Sequence, residues 1–201
     1  MRKWSAWFVA LSLVTGLSVS TAQAEPREYR IDPDHFSIAF AVDHIGFGDV
    51  IGLFLSGQGS FVYDEEARRL ISAQATIDAD SVFTNHDARD RHLRSGDFLN
   101  ASASPAISFV ARTATPIDAN RGRVTGDLTI LGVTQPVTLN VELVGAGPYP
   151  FPTTGPEPNY VLGVTMTTTI QRSDFGMTYA VDNGWVGDEV DITIAFEAIR
   201  Q

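Results

Sequence analysis

The residues best equipped for chemistry in this chain are packed into one block, SVFTNHDARDRHLRSGDFL, residues 81–99. His86, Asp87, Arg89, Asp90, Arg91, His92, Arg94 and Asp97 all fall inside it. Imidazoles and carboxylates this close together would suit general acid–base work or a metal centre. The same residues also suit a short surface helix. Thr84 or Asn85 can cap it, Asp87 falls in a first turn that favours an acid, and Asp87–Arg91 and Asp90–Arg94 are acid-before-base pairs four apart. Gly96 reads as the stop. His86 and Asp90 share a helix face while His92 is turned away from it, which is poor geometry for one ion. Every charge in the block has a structural reason to be there, and no set of metal ligands emerges.

The remaining candidates are weaker. His35 and His44 stand at the two ends of an extended run, too far apart to share an ion without help from the fold. Lone histidines at strand ends are usually hydrogen-bonded structural groups. No G-x-S-x-G elbow is present, and GFGDVIG at 46–52 has the wrong glycine spacing for a dinucleotide loop. With no cysteine, thiol nucleophiles, thiolate metal ligands and disulfides are excluded; with Lys3 as the only lysine, so is Schiff-base chemistry beyond the N-terminus. The residues imply no cofactor, no metal and no catalytic group.

What must position the block is β-structure. Phe36, Ile38, Phe40 and Val42 share one face of an alternating run, and Ile71, Ala73, Ala75, Ile77 and Ala79 share another. Ile107 and Phe109 precede Val124, Leu128 and Ile130; Val137, Leu139, Val141 and Leu143 alternate with polar residues, as do Val190, Ile192, Ile194 and Phe196. Leu131-Gly132-Val133-Thr134-Gln135 reads as a tight hairpin connection. About eight such strands, each with one apolar and one wet face, predict an antiparallel all-β domain, closed as a barrel or stacked as a sandwich. Ala73, Ala75 and Ala79 leave small residues on a buried face, so either large neighbours fill the space opposite or a guest does. The segment PYPFPTTGPEPN, 148–159, is too rich in proline for a central strand or a helix and reads as a long loop at one end.

The N-terminus carries Arg2 and Lys3, a short apolar run and Ala22-Gln23-Ala24, the anatomy of a secretory signal peptide over residues 1–24. The expected mature domain is 25–201, with 12 arginines against 24 acids and a formal charge of −12. So negative a chain is a poor partner for nucleic acid or for an anionic lipid surface.

Read in order, IDPDHFSIAFAVDHIGFGDVIGLF, SVFTNHDARDRHLRSGDFL, PAISF, GDLTILGVTQPVTL, IQRSDFGM and VGDEVDITIAFE closely resemble the YceI-like family of periplasmic polyisoprenoid-binding proteins. The resemblance runs from about Tyr29 to Glu197. It implies an elongated, eight-stranded antiparallel lipocalin-like barrel with one short helix-containing connection. The apolar lumen would hold a polyisoprenoid or quinone-like lipid. Ile38, Phe40, Ala73, Ala75, Ile77 and Ile107 are then expected to line that lumen. Phe109, Leu128, Leu139, Val164, Met166 and Ile192 are expected to continue the lining.

Arg89, Asp90, His92, Arg172 and Phe175 belong to the family signature and are expected to hold the helical connection to the barrel. Some relatives occur with membrane b-type cytochromes, which makes such a cytochrome an expected partner. Two departures stand out: Ile51 occupies a position that is basic in many relatives, and the proline-rich segment replaces an aromatic-glycine-arginine pattern. Two other readings stay open: a lipid-directed enzyme using His92 or His35 with a carboxylate, and an interaction module for a membrane redox partner.

Overall fold

Alternation along the chain resolves into one antiparallel sheet that closes on itself. The computed structural model describes residues 25–151 and 158–201. The expected leader, 1–24, and the middle of the proline-rich segment, 152–157, lie outside the described residues. The strands are β1 Arg27–Asp43, β2 Asp49–Phe54, β3 Gly57–Asp64, β4 Arg69–Asp78, β5 Val82–Phe83, β6 Ala106–Pro116, β7 Arg121–Ile130, β8 Val133–Pro148, β9 Tyr160–Gln171 and β10 Glu189–Arg200, with one α-helix, α1, at Asp87–Arg94.

Closure comes from β10 pairing with β1, from Tyr29↔Arg200 to Ala41↔Asp191. The other edge of β1 is shared: β3 takes Arg27–Arg30 and β2 takes Ile38–Asp43, so β2 and β3 form one interrupted stave. In the same way β5 continues β4, pairing with β2 at Leu53↔Phe83 and Phe54↔Val82. Ten strands thus make eight staves, the expected closed antiparallel barrel rather than a sandwich. Full closure removes exposed sheet edges, which suits a chain without disulfides.

Local chemistry explains two registers. Leu131 and Gly132 form a two-residue turn with φ of 54° and 76°, matching the twist of the β7–β8 hairpin. The alternation expected for β4 fails at Ile71. A bulge in β4, opposite Val62 and Tyr63 of β3, leaves Ile71 unpaired, so Leu70 is half-buried and Ile71 is turned out to solvent. Ala79 is buried, as expected, but in the short 3-10 turn Ala79–Ser81 and not on the strand.

Candidate functional site

The inner faces of the staves enclose two adjoining apolar cavities of about 450 and 420 Å3. Ile38, Phe40, Ile77, Ile107, Leu128 and Ile192 line the first chamber; Ala73 and Val164 line the second. Ala75, Phe109, Leu139 and Met166 line both. The structure therefore brings all twelve residues expected at a lumen to the walls of these two cavities.

The cavities exist because three phenylalanine rings lie along the wall instead of pointing across it. Each rests over a glycine of the next stave: Phe40 over Gly52, Phe36 over Gly57, and Phe109 over Gly126. A Cβ at Gly52 would lie only 2.2 Å from Cζ of Phe40, so a side chain there would force the ring to move. These glycines escape a search for apolar alternation, because their role is to lack a side chain beside a ring.

Ile31 and Phe196 line both cavities as well, so six staves give a side chain to the shared wall: Ile31 from β1, Ala75 from β4, Phe109 from β6, Leu139 from β8, Met166 from β9 and Phe196 from β10. The two staves that give no side chain carry glycines there. Gly59 of β3 pairs with Ala75, and Gly126 of β7 lies under Phe109.

Helix α1 closes one end of the first chamber, where Arg89, His92 and Leu93 reach the wall. Its cap differs from the expected Thr84 or Asn85. His86 is the N-cap, its Nδ1 accepting from the Arg89 amide at 3.2 Å, while Asn85 takes a left-handed φ of 60°. Thr84 is spent elsewhere: its amide and hydroxyl both donate to Asp90, and its carbonyl and hydroxyl accept from Arg89 at 2.8 and 2.7 Å. The helix stops at extended Ser95, not at Gly96; the Ser95 amide and hydroxyl both donate to the His92 carbonyl.

Neither expected pair, Asp87–Arg91 or Asp90–Arg94, forms an ion pair among the described residues. Asp90 is buried against Thr84, and Arg94 reaches the carbonyls of Asp80 and Val82. Sequence spacing alone could not foresee that an acid would turn inward.

Burial opposes the charge on Asp90, but its two bonds from Thr84 and the Arg94 and Arg89 charges outweigh it, holding the carboxyl below the usual range. A depressed carboxyl contributes stability above its unfolded pKa and loses it as pH falls through the folded one. Asp90→Asn should therefore be less stable than the parent at neutral pH. The difference should narrow on acidification below about pH 4, measured by chemical denaturation at stepped pH.

His92 stands between two rings, 5.0 Å from Phe98 and 5.1 Å from Tyr179, both edge-on, with Nε2 2.9 Å from Asp97 Oδ2. Arg172 completes this end. It is 3 % exposed, its guanidinium lies 5.7 Å from the Phe98 ring centroid, and it donates to the carbonyls of Gly187, Met177, Tyr179 and Val186 at 2.7–2.9 Å. Phe175, fully buried beside it, packs into the same core as α1's Leu93. His92→Ala is expected to cost about 1–2 kcal/mol through the two lost ring contacts, seen as a lower melting midpoint. A variant with an unchanged midpoint that had lost ligand would assign His92 to the ligand instead.

His35 does gain the help from the fold that its sequence position required, though not from His44. A register shift in β1 between Ile31 and Phe36 brings its Nδ1 to 2.8 Å from Asp32 Oδ2 and 3.7 Å from Glu197 Oε2. These three groups could hold an ion. The contacts already account for the cluster: the Asp32 bond and the Glu197 charge raise the His35 pKa, as in an ordinary surface ion pair. Tyr149, at the start of the proline-rich segment, lies 6.4 Å from the His35 ring.

The model of the YceI-like domain matches residues 29–198. A UPF0312 protein of Pseudomonas aeruginosa is 37% identical over 193 residues, covering 94% of this chain and 96% of that relative. Protein YceI of Escherichia coli is 35% identical over 187 residues, 92% and 93% of the two chains. Among solved structures, BcnA of Burkholderia cenocepacia superposes with a TM-score of 0.72 at 23% identity, covering 83% of this chain and 98% of that one. A polyisoprenoid binding domain from Saccharophagus degradans superposes with a TM-score of 0.59 at 14% identity, covering 88% and 100%.

Proposed function

Since the chain belongs to the YceI-like family, we propose that it is a periplasmic carrier or store for a polyisoprenoid or isoprenoid-quinone lipid held in the barrel lumen. The observation that carries this reading is the pair of adjoining cavities walled mainly by aliphatic and aromatic side chains, the second of which also has Arg68, Arg69, Asp118, Arg121 and Arg123 in its lining. The Saccharophagus degradans domain of the same fold, named for polyisoprenoid binding, supports the class of ligand. The signal-peptide pattern of residues 1–24 supports export. A membrane b-type cytochrome as donor or recipient belongs to the same proposal, on the strength of the family resemblance.

The energetics need no charged anchor. A buried CH2 is worth roughly 0.8 kcal/mol, so one five-carbon unit contributes on the order of 3–4 kcal/mol. A few buried units reach nanomolar affinity, about 12 kcal/mol, after the cost of ordering the chain.

Beyond the leader, Trp185 is the only tryptophan of the chain, and it lines the first chamber. Titrating delipidated protein with a prenyl quinone should quench Trp185 fluorescence saturably, with a submicromolar midpoint. A linear, unsaturable response with no quinone retained on gel filtration would overturn the proposal.

A further inference from the structure

The rim of the first chamber is apolar where loops are ordinarily polar. Two loops meet there, the β1–β2 turn at 44–48 and the segment 177–187. The His44↔Val186 bridge joins them, as does the Gly187 amide, which donates to the Asp43 carbonyl at 2.9 Å. His44, Tyr179, Ala180, Trp185 and Val186 line the chamber itself. At the tips, Phe47 is 91 % exposed, Trp185 61 % and Ile45 42 %. Ile45 also takes a φ of 51°, a left-handed conformation that is costly for a β-branched residue and cheaper for asparagine or glycine. The turn is nevertheless well held: the His44 amide donates to the Gly48 carbonyl, the Phe47 amide to the His44 carbonyl, and the Gly46 amide to the Asp43 carboxylate. A strained isoleucine and a bare phenylalanine on one firm tip stabilise nothing inside the protein, and they call for a contact outside it.

We propose that this rim docks on a zwitterionic lipid bilayer, Phe47 and Ile45 entering the interfacial layer with Trp185 and Tyr179 beside them, and the first chamber opening toward the membrane. Continuity, shape and charge choose this partner. Trp185 and Tyr179 belong both to the exposed rim and to the chamber lining, so a lipid leaving the bilayer meets apolar surface all the way in. Aromatic side chains on projecting loop tips suit insertion among headgroups, where tryptophan and tyrosine are at home. No lysine or arginine occurs in 43–51 or 173–188; Asp43 faces Asp49 at the base of the turn, and Asp182 is exposed on the other loop. An anionic surface would be repelled here. It would be drawn instead to the opposite end of the barrel, where Arg68, Arg69, Arg121 and Arg123 stand at the second chamber. The docking rests on the lumen reading above and adds to it the source of the lipid and the mouth through which it passes.

Flotation of delipidated protein with phosphatidylcholine vesicles tests this, read by the bound fraction and by Trp185 emission. The parent should float, with its emission shifted to shorter wavelength, and replacing part of the phosphatidylcholine by phosphatidylglycerol should lower the bound fraction. Phe47→Asp should weaken partitioning at least about tenfold, while its affinity for a prenyl quinone added in buffer stays within about twofold of the parent. Ile45→Asn should also weaken partitioning, yet leave the melting midpoint level or higher, because it relieves the left-handed strain. A Phe47→Asp variant that floated like the parent would overturn the docking, as would vesicle-bound parent with unshifted Trp185 emission. So would binding that required phosphatidylglycerol, which would place the contact at the arginine end. A dimer in vesicle-free buffer that Phe47→Asp splits would give the rim to a second copy of the chain and overturn it too. A parent that bound the quinone in buffer but never floated would end the docking and leave the lumen reading standing; one that floated but bound no quinone would do the reverse.

Discussion

Replacing Ala73 and Ala75 together by phenylalanine should leave the barrel folded and empty it of long-chain lipid. Both residues line the cavities, Ala73 the second chamber and Ala75 both. The room lies toward the cavities and not along the sheet: Ala73 pairs with Phe61, and Ala75 pairs with Gly59, beside which Ile31 packs, and with Phe109, lying back over Gly126. Two new rings would then enter space that holds no protein atoms and add apolar contacts with little strain. The volume they take is lost to the ligand, so lipid recovered by solvent extraction should fall at least about tenfold. The melting midpoint should stay near that of the parent. Had the alanines faced a filled core, the same change would overpack it and cost about 1–3 kcal/mol per site. A stable double variant with its full complement of lipid would remove the ligand from this side of the barrel.

Arg172→Ala should produce the largest loss of stability of any single change considered. The guanidinium is buried and gathers four backbone carbonyls from the segment 177–187, with Asp188 nearby as the opposing charge. Alanine would leave those carbonyls without donors beneath Phe98 and Phe175, where water cannot replace the guanidinium at equal strength. An unsatisfied buried group costs about 1–3 kcal/mol, and several share one donor here, so a loss of about 3–5 kcal/mol is expected. Arg172→Lys should recover only part of it, because one ammonium cannot span the four directions of a planar fork. Denaturant midpoints measure both. An alanine variant within about 0.5 kcal/mol of the parent would show that the segment holds its shape without Arg172.

Much of this architecture was legible in the chain because β-alternation has a fixed period. The inward positions of β1, β6, β7, β8 and β10 follow from residues such as Ile38, Ile107, Leu128, Leu139 and Ile192, since one side of each strand must be apolar. What alternation cannot see is an inserted residue: the bulge at Ile71 reverses the faces, and only the pairing with β3 reveals it. The acidic and basic block was legible as a helix but not in its bonding. Local rules place Asp90 beside Arg94 on the surface, whereas the fold buries it against Thr84, six residues back. Three-dimensional neighbours decide that choice, and they are distant in sequence. The same limit hid the glycines under Phe36, Phe40 and Phe109, whose purpose appears only when two staves lie side by side.

The central claim is that the lumen carries a linear isoprenoid lipid in the cell. Native mass spectrometry of protein purified from its own cells without detergent, followed by organic extraction, tests it most directly. The account predicts an intact protein lacking residues 1–24, with one added mass, and an extract containing a linear prenyl lipid in near-equimolar amount. Protein recovered with no added mass, and still empty after incubation with excess prenyl quinone, would contradict it.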